Sequence, residues 1–135
     1  MKKHIAILNK STIEAILSGV KTIEARFSNK RICPFGEVGV GDIVYMKLSG
    51  GEIEGQFRVK KVFYFEGLME NDLEEIFFKY GLQIGMKVGL EGEKYKSEKK
   101  VGSFGMLIFI SESERFITSP IKVQKRDNRS WRVLD

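Results

Sequence analysis

Gly19-Val20-Lys21-Thr22-Ile23-Glu24-Ala25-Arg26 is the stretch where a helical period of apolar residues gives way to a strand period. Upstream, Ser11-Thr12-Ile13-Glu14 has the form of a capping box: the Ser11 hydroxyl accepts from the Glu14 backbone N–H while the Glu14 carboxylate reaches back to the Ser11 N–H. Ile13, Ile16 and Leu17 share one helical face, and Gly19 supplies the positive φ with which short helices end. The pattern predicts a helix ending near Ser18. Beyond Gly19, Ile23, Ala25 and Phe27 alternate with Thr22, Glu24 and Arg26, so a strand here has one apolar and one charged face, with Lys21 at its entrance. Two readings of the charged face stand side by side: an exposed same-face ion pair worth about 0–1 kcal/mol, or the lining of a site.

Outward from this junction the chain reads as a succession of strands. His4 to Leu8 forms a short first strand. Ser28 to Gly41 is a surface loop rich in Gly, Pro and charge, with Lys30 and Arg31 on it either as a positive rim or as solvated loop charges. Asp42 to Leu48 and Ile53 to Phe65 are rich in Ile, Val, Tyr and Phe, and Ser49-Gly50-Gly51-Glu52 makes them a hairpin. The imperfect alternation of the second run predicts a bend or bulge near Lys60, as a strand coiling into a small barrel requires.

A second helix is expected with Asn71 or Asp72 as its cap, Leu73, Ile76, Phe77 and Tyr80 on its apolar face, and Gly81 at its end. The acids Glu70, Asp72, Glu74 and Glu75 suit the positive end of its dipole without any catalytic role. Leu82 to Phe104 reads as a long exposed loop, in which Lys87, Lys94, Lys96, Lys99 and Lys100 around Tyr95 either hold a nucleic-acid backbone or solubilise the chain. Met106 to Ile110 is an apolar run suited to a strand covered on both faces, and Ile117 to Gln124 and Ser130 to Leu134 close the fold. Trp131 reads as a core plug, or as a ring on which a base stacks.

The string Gly-x-Lys-x-x-Glu-x-Arg after a short helix, with Gly41-Asp42 before a hydrophobic strand, resembles the ASCH domain family of the PUA-like superfamily. Lys21, Glu24 and Arg26 occupy the motif's charged positions, Gly19 its glycine and Asp42 its Gly-Asp signature. The resemblance runs from the first helix to Phe65 and more loosely to Trp131. It implies an α+β fold, a small β-barrel with flanking short helices spanning 1–135 as one domain, and a cleft at the helix-strand junction that binds RNA. One branch of the family resembles amidohydrolases of acylated cytidine that use a Lys and, three residues on, a Thr; here that position holds Glu24, while Thr22 directly follows Lys21.

Composition bounds the alternatives. With 135 residues, 42% of them hydrophobic, the chain supports one core, and a net charge of +5 is compatible with a polyanionic partner. Cys33 is the only cysteine and His4 the only histidine, so neither a disulfide, a metal site nor a cofactor is expected, and His4 is read as a surface or packing residue. Polar residues interrupt any signal-like segment after Met1, which predicts a cytoplasmic protein away from membranes.

Chemically, Arg26 offers a planar fork to phosphate or a base edge, Lys21 a point cation, and Glu24 an acceptor for exocyclic amino groups. With Lys30 and Arg31 these make an RNA- or nucleotide-binding set. The alternative is a hydrolase, on RNA or a modified nucleoside, with Lys21, Thr22 and Glu24 as its catalytic groups. A second alternative is a protein-interaction module, expected if the motif side chains form a closed ion-pair network with no adjoining cavity.

Overall fold

The computed structural model describes residues 1–85 and 103–134. Its elements in chain order are β1 (Lys3–Leu8), α1 (Lys10–Leu17), β2 (Ile23–Ser28), β3 (Ile43–Leu48), β4 (Ile53–Phe65), α2 (Glu70–Ile84), β5 (Phe104–Arg115) and β6 (Trp131–Leu134). The strands form one six-stranded sheet in the order β2-β5-β4-β3-β1-β6. Only β1 and β3 run parallel, because α1 and β2 intervene between them in sequence; the other pairs are antiparallel.

The sheet is curled. Its two ends, β2 and β6, are not paired with each other as strands, yet Arg26 of β2 lies over Trp131 of β6, so the sheet bends far enough to bring its edges together. Irregularities in β4 provide the bend: its pairing with β5 shifts register between Gln56 and Arg58 and between Val59 and Lys61, at the place the imperfect alternation predicts. The inner face carries the larger core, in which Met46, Phe57, Met106, Ile108 and Trp131 pack with Ile13 and Ile16 of α1. The outer face of β2 and β5 is covered by α2, through Ile23, Ala25 and Leu107 against Leu73, Ile76 and Phe77. Met106 and Ile108 on one side and Leu107 on the other confirm a strand covered on both faces.

Several boundaries differ from expectation. Asn9, not Ser11, caps α1: its side chain accepts from the Thr12 N–H at 2.8 Å, and Ser11 Oγ donates to the same oxygen. Glu14 turns outward to Lys10 and Arg115. In α2, Asp72 lies one turn inside the start and accepts from the Met69 N–H at 2.8 Å, and the helix passes Gly81, which is buried against the core, to end at Gly85 with φ +98°. Leu82 to Ile84 therefore belong to the helix; the lysines and Tyr95 of the expected loop lie outside the described residues.

Ile117 to Gln124 forms no strand. Pro120 lacks an N–H for a ladder, and Ser119 Oγ satisfies the Ile121 carbonyl locally. Ile121 and Val123 still pack on Ile5 and Tyr45. The buried Lys47 holds the segment's end, its Nζ donating to the carbonyls of Lys125 at 2.6 Å and Leu48 at 3.3 Å.

Candidate functional site

The site begins where α1 stops. Gly19 takes φ +84°, and the chain folds back so that the Lys21 N–H reaches the Ala15 carbonyl at 2.9 Å. Thr22 is then pinned on both sides: its N–H donates to Gln83 of α2 and its carbonyl accepts from Ile110 of β5, each at 2.9 Å. This places Lys21 under the end of α2. Its ammonium donates to the Ile84 carbonyl, one of the acceptors a helix end leaves unpaired, and sits 3.3 Å from Glu24 Oε1.

The alternation of β2 orients the other two motif charges. Glu24 pairs across with Ile108 and Arg26 with Met106, so both charged side chains share the inner face with those core residues. An ionised carboxylate on that face needs partners, and Glu24, 7% exposed, has Lys21 on one oxygen and Arg26 Nε on the other at 3.0 Å. Arg26 is held from behind and stays partly open, with a fifth of its side chain accessible. Its guanidinium lies 5.1 Å from the Trp131 ring centre and reaches the Ser130 carbonyl at 3.5 Å.

Trp131 is buried and donates its indole N–H to His4 Nδ1 at 3.1 Å. Indole is a donor only, so Nδ1 accepts, and the ring proton sits on Nε2, which lies 2.8 Å from Asp42 Oδ2. Asp42 also accepts from the backbone N–H groups of Lys2 and Gly39, each at 2.9 Å. Burial alone pushes its carboxyl up, but the bonds from His4, Lys2 and Gly39 outweigh it and hold the group below its ordinary value. His4 is thus a fully buried packing residue rather than a surface one, and the Gly-Asp pair anchors the start of β1.

Beside Arg26 lies a cavity of about 160 Å³, walled by Phe27, Phe35, Phe104 and Met106 on its apolar side and by Ser28, Lys30 and Ser130 around Arg26. The loop from Ile32 to Phe35, with a cis Cys33–Pro34 peptide, forms its outer wall. Phe35 is fixed by edge contacts with Tyr64 and Phe104. Lys30 lines the cavity; Arg31 does not, being stacked on Phe35 and paired with Glu66. Lys21, Thr22 and Glu24 are likewise not among its lining residues: the first and last support Arg26, and Thr22 is exposed. Burial and the nearby Glu37 push the Cys33 thiol up despite the proximity of Arg26. Among the described residues no cluster of His, Cys, Asp and Glu is suited to a metal, and no helix is long and apolar enough to cross a membrane.

The fold resembles those of several solved structures. The crystal structure of ASCH from Zymomonas mobilis superposes with a TM-score of 0.64, covering 84% of this chain and 70% of that one at 14% identity. The chain has the ASCH fold. The hypothetical protein PH0355 matches 86% of the chain and all of its own length at 23% identity and TM-score 0.54, and protein PF0455 from Pyrococcus furiosus matches similarly at 0.50. No protein-family model and no curated protein matches the sequence. The α+β barrel expected from the Gly-x-Lys-x-x-Glu-x-Arg motif is therefore present.

Residues that sequence reasoning did not assign to the site include Ser130, Cys33 and Phe35, which reach it from loops. Their only sequence signal is proximity to Trp131 or to the Lys30-Arg31 pair. His4 carried none, since its partner Trp131 is 127 residues away.

Proposed function

We propose that this ASCH-fold chain binds RNA, or a nucleotide, at the cavity beside Arg26. The supporting observation is Arg26 itself: a guanidinium fixed by Glu24 behind it and by Trp131 at its side, partly open, and lining an apolar cavity. Such a group is oriented before a ligand arrives, so little side-chain entropy remains to be lost on binding. A planar cation beside aromatic walls suits a splayed base and its phosphate. Lys30 adds a second cation at the rim, and Lys21 and Glu24 act as positioning groups.

The hydrolytic alternative asks Lys21 to take a proton from Thr22. Its ammonium is instead engaged with the Ile84 carbonyl and Glu24, an arrangement that favours binding over turnover. The interaction-module alternative asks for an ion-pair network with no cavity, and here the network borders one.

The test is fluorescence anisotropy of end-labelled single-stranded RNA with the wild-type chain, Arg26→Ala and Arg26→Lys, each checked for folding by circular dichroism. A steady, salt-sensitive rise is expected for the wild type, weakened roughly 10-fold or more in both variants, since a charge-assisted bond contributes about 1.5–3 kcal/mol. Equal affinity in folded Arg26→Ala removes this site. A slow fall below the free-RNA value means cleavage and transfers the assignment to the hydrolase.

A further inference from the structure

The Arg26 cavity is small. At about 160 Å³ it falls below the roughly 300–1,000 Å³ of sites that enclose whole small ligands, so a nucleotide entering it base-first leaves its sugar and phosphate outside. What lies outside is specific. Ile32, Cys33 and Ser130 line both this cavity and a second, wider groove of about 1,120 Å³ that runs along β6 and the N-terminal residues. The cavity and the groove therefore share a rim.

The groove is cationic. Lys2, Lys3, Arg129 and Arg132 line it against one acid, Glu37, which is paired with Lys2 at 3.1 Å. A second acid, Asp127, accepts two bonds from the Arg129 guanidinium, at 3.0 and 3.1 Å, and a third from the Arg129 backbone N–H at 3.0 Å, and lies 3.8 Å from Arg132. The accessibilities are unequal: the Asp127 side chain is 9% exposed and that of Arg129 is 62%. The carboxylate is covered while the guanidinium it orients faces outward, so the surface presented is positive although the charges are paired. Trp131 also lines the groove, and its ring carries Arg26, a lining residue of the cavity, so the two are joined by that contact.

We propose that this groove holds the sugar-phosphate backbone of a single-stranded nucleic acid, one base of which occupies the Arg26 cavity. The inference rests on the proposed binding at Arg26 and deepens it: the ligand is a strand rather than a free mononucleotide. Arg129 and Arg132 contact phosphates and Lys3 adds a third cation. The outer edge of β6, which no other strand pairs among the described residues, also permits a peptide strand to add there, but four cations against one lining acid, joined to an apolar cavity, favour a phosphodiester.

The experiment uses the full chain, a labelled oligouridylate of about ten nucleotides, within the usual site size of a single-strand-binding groove, the same length of oligothymidylate, and uridine monophosphate. The variants are Arg129→Ala/Arg132→Ala, Lys3→Ala, which leaves Asp127 and its partners untouched, and Arg26→Ala. The expected result is at least a 10-fold loss of oligomer affinity in the double variant and a smaller loss in Lys3→Ala. The slope of log K against log salt should flatten by about 1.4 for two phosphates on a single strand, and uridine monophosphate, with its single phosphate, should lose less affinity than the oligomer. Wild-type affinity and slope in both groove variants, with Arg26→Ala impaired, overturns the groove and leaves the cavity standing. Wild-type behaviour in Arg26→Ala as well overturns the cavity reading itself. Equal binding of a polyglutamate peptide by the wild type, lost in the double variant, overturns the assignment to nucleic acid.

Discussion

Arg26 and Trp131 close the barrel: the guanidinium of the first strand of the sheet rests 5.1 Å over the indole of the last, where no strand pairing joins the two. The contact makes one residue serve two purposes, since the cation that lines the cavity also holds the edges of the sheet together.

Trp131→Phe keeps an aromatic surface under Arg26 but removes the indole donor and leaves His4 Nδ1 buried without its partner. The expected cost is about 1–3 kcal/mol in urea unfolding. In the wild type, nitrogen NMR of His4 should show an acceptor-type Nδ1 and a protonated Nε2. The reverse assignment would contradict the bonding described for Trp131, His4 and Asp42.

Lys21→Met removes the donor to the Ile84 carbonyl and strips Glu24 of one of the two cations that pair with it among the described residues. Destabilisation of about 1–3 kcal/mol is expected, and the double variant Lys21→Met/Glu24→Gln should lose less than the sum of the singles, because the two groups belong to one network. Simple additivity in a double-mutant cycle would show that they do not interact.

Asp42 provides a pH signature. Its carboxyl is held below the ordinary value in the folded chain, so the contribution is fully present above the unfolded value of about 3.9 and is lost as pH falls through the folded one. The stability difference between wild type and Asp42→Asn should therefore be constant near pH 6 and shrink below about pH 4. A difference that stays unchanged at pH 3 would mean the carboxylate gains nothing from His4, Lys2 and Gly39.

Gly55 of β4 lies tight against β5: a Cβ there would stand 2.5 Å from the Glu114 carbonyl, a backbone atom that cannot swing aside. Gly55→Ala should cost about 1–3 kcal/mol, as overpacking does, measured as a lowered thermal midpoint. Gly39→Ala, with open space around it, is the control.

Cys33 lines both the cavity and the groove. Bound oligouridylate should slow its alkylation by a maleimide several-fold, and a bulky adduct at Cys33 should block RNA binding. Unchanged kinetics at saturating RNA would place the ligand elsewhere.

How much of this was legible in the sequence varies with the range of the interaction. The period-two alternation of β2 is local, so Ile23, Ala25 and Phe27 could be separated from Glu24 and Arg26 by reading alone, and the bend in β4 left its mark in broken alternation. The burial of Lys21 could not be read, because it depends on the Ile84 carbonyl 63 residues away, on a helix that runs past the glycine expected to stop it. The role of Asp42 was hidden for the same reason: two of its partners, Lys2 and His4, lie 40 and 38 residues away, and the parallel pairing of β1 with β3 leaves no turn signature between them. Ile117 to Gln124 misled because its apolar residues do pack on the sheet while its backbone does not join it.

The chain has a single tryptophan, and it is the one under Arg26 with its indole N–H on His4. Any ligand that draws the guanidinium off the ring, and any change in the His4 contact, must alter the surroundings of the protein's only indole chromophore. Intrinsic fluorescence of the unmodified chain is therefore a built-in gauge of the seam, able to track occupancy and barrel opening in the same cuvette without a label.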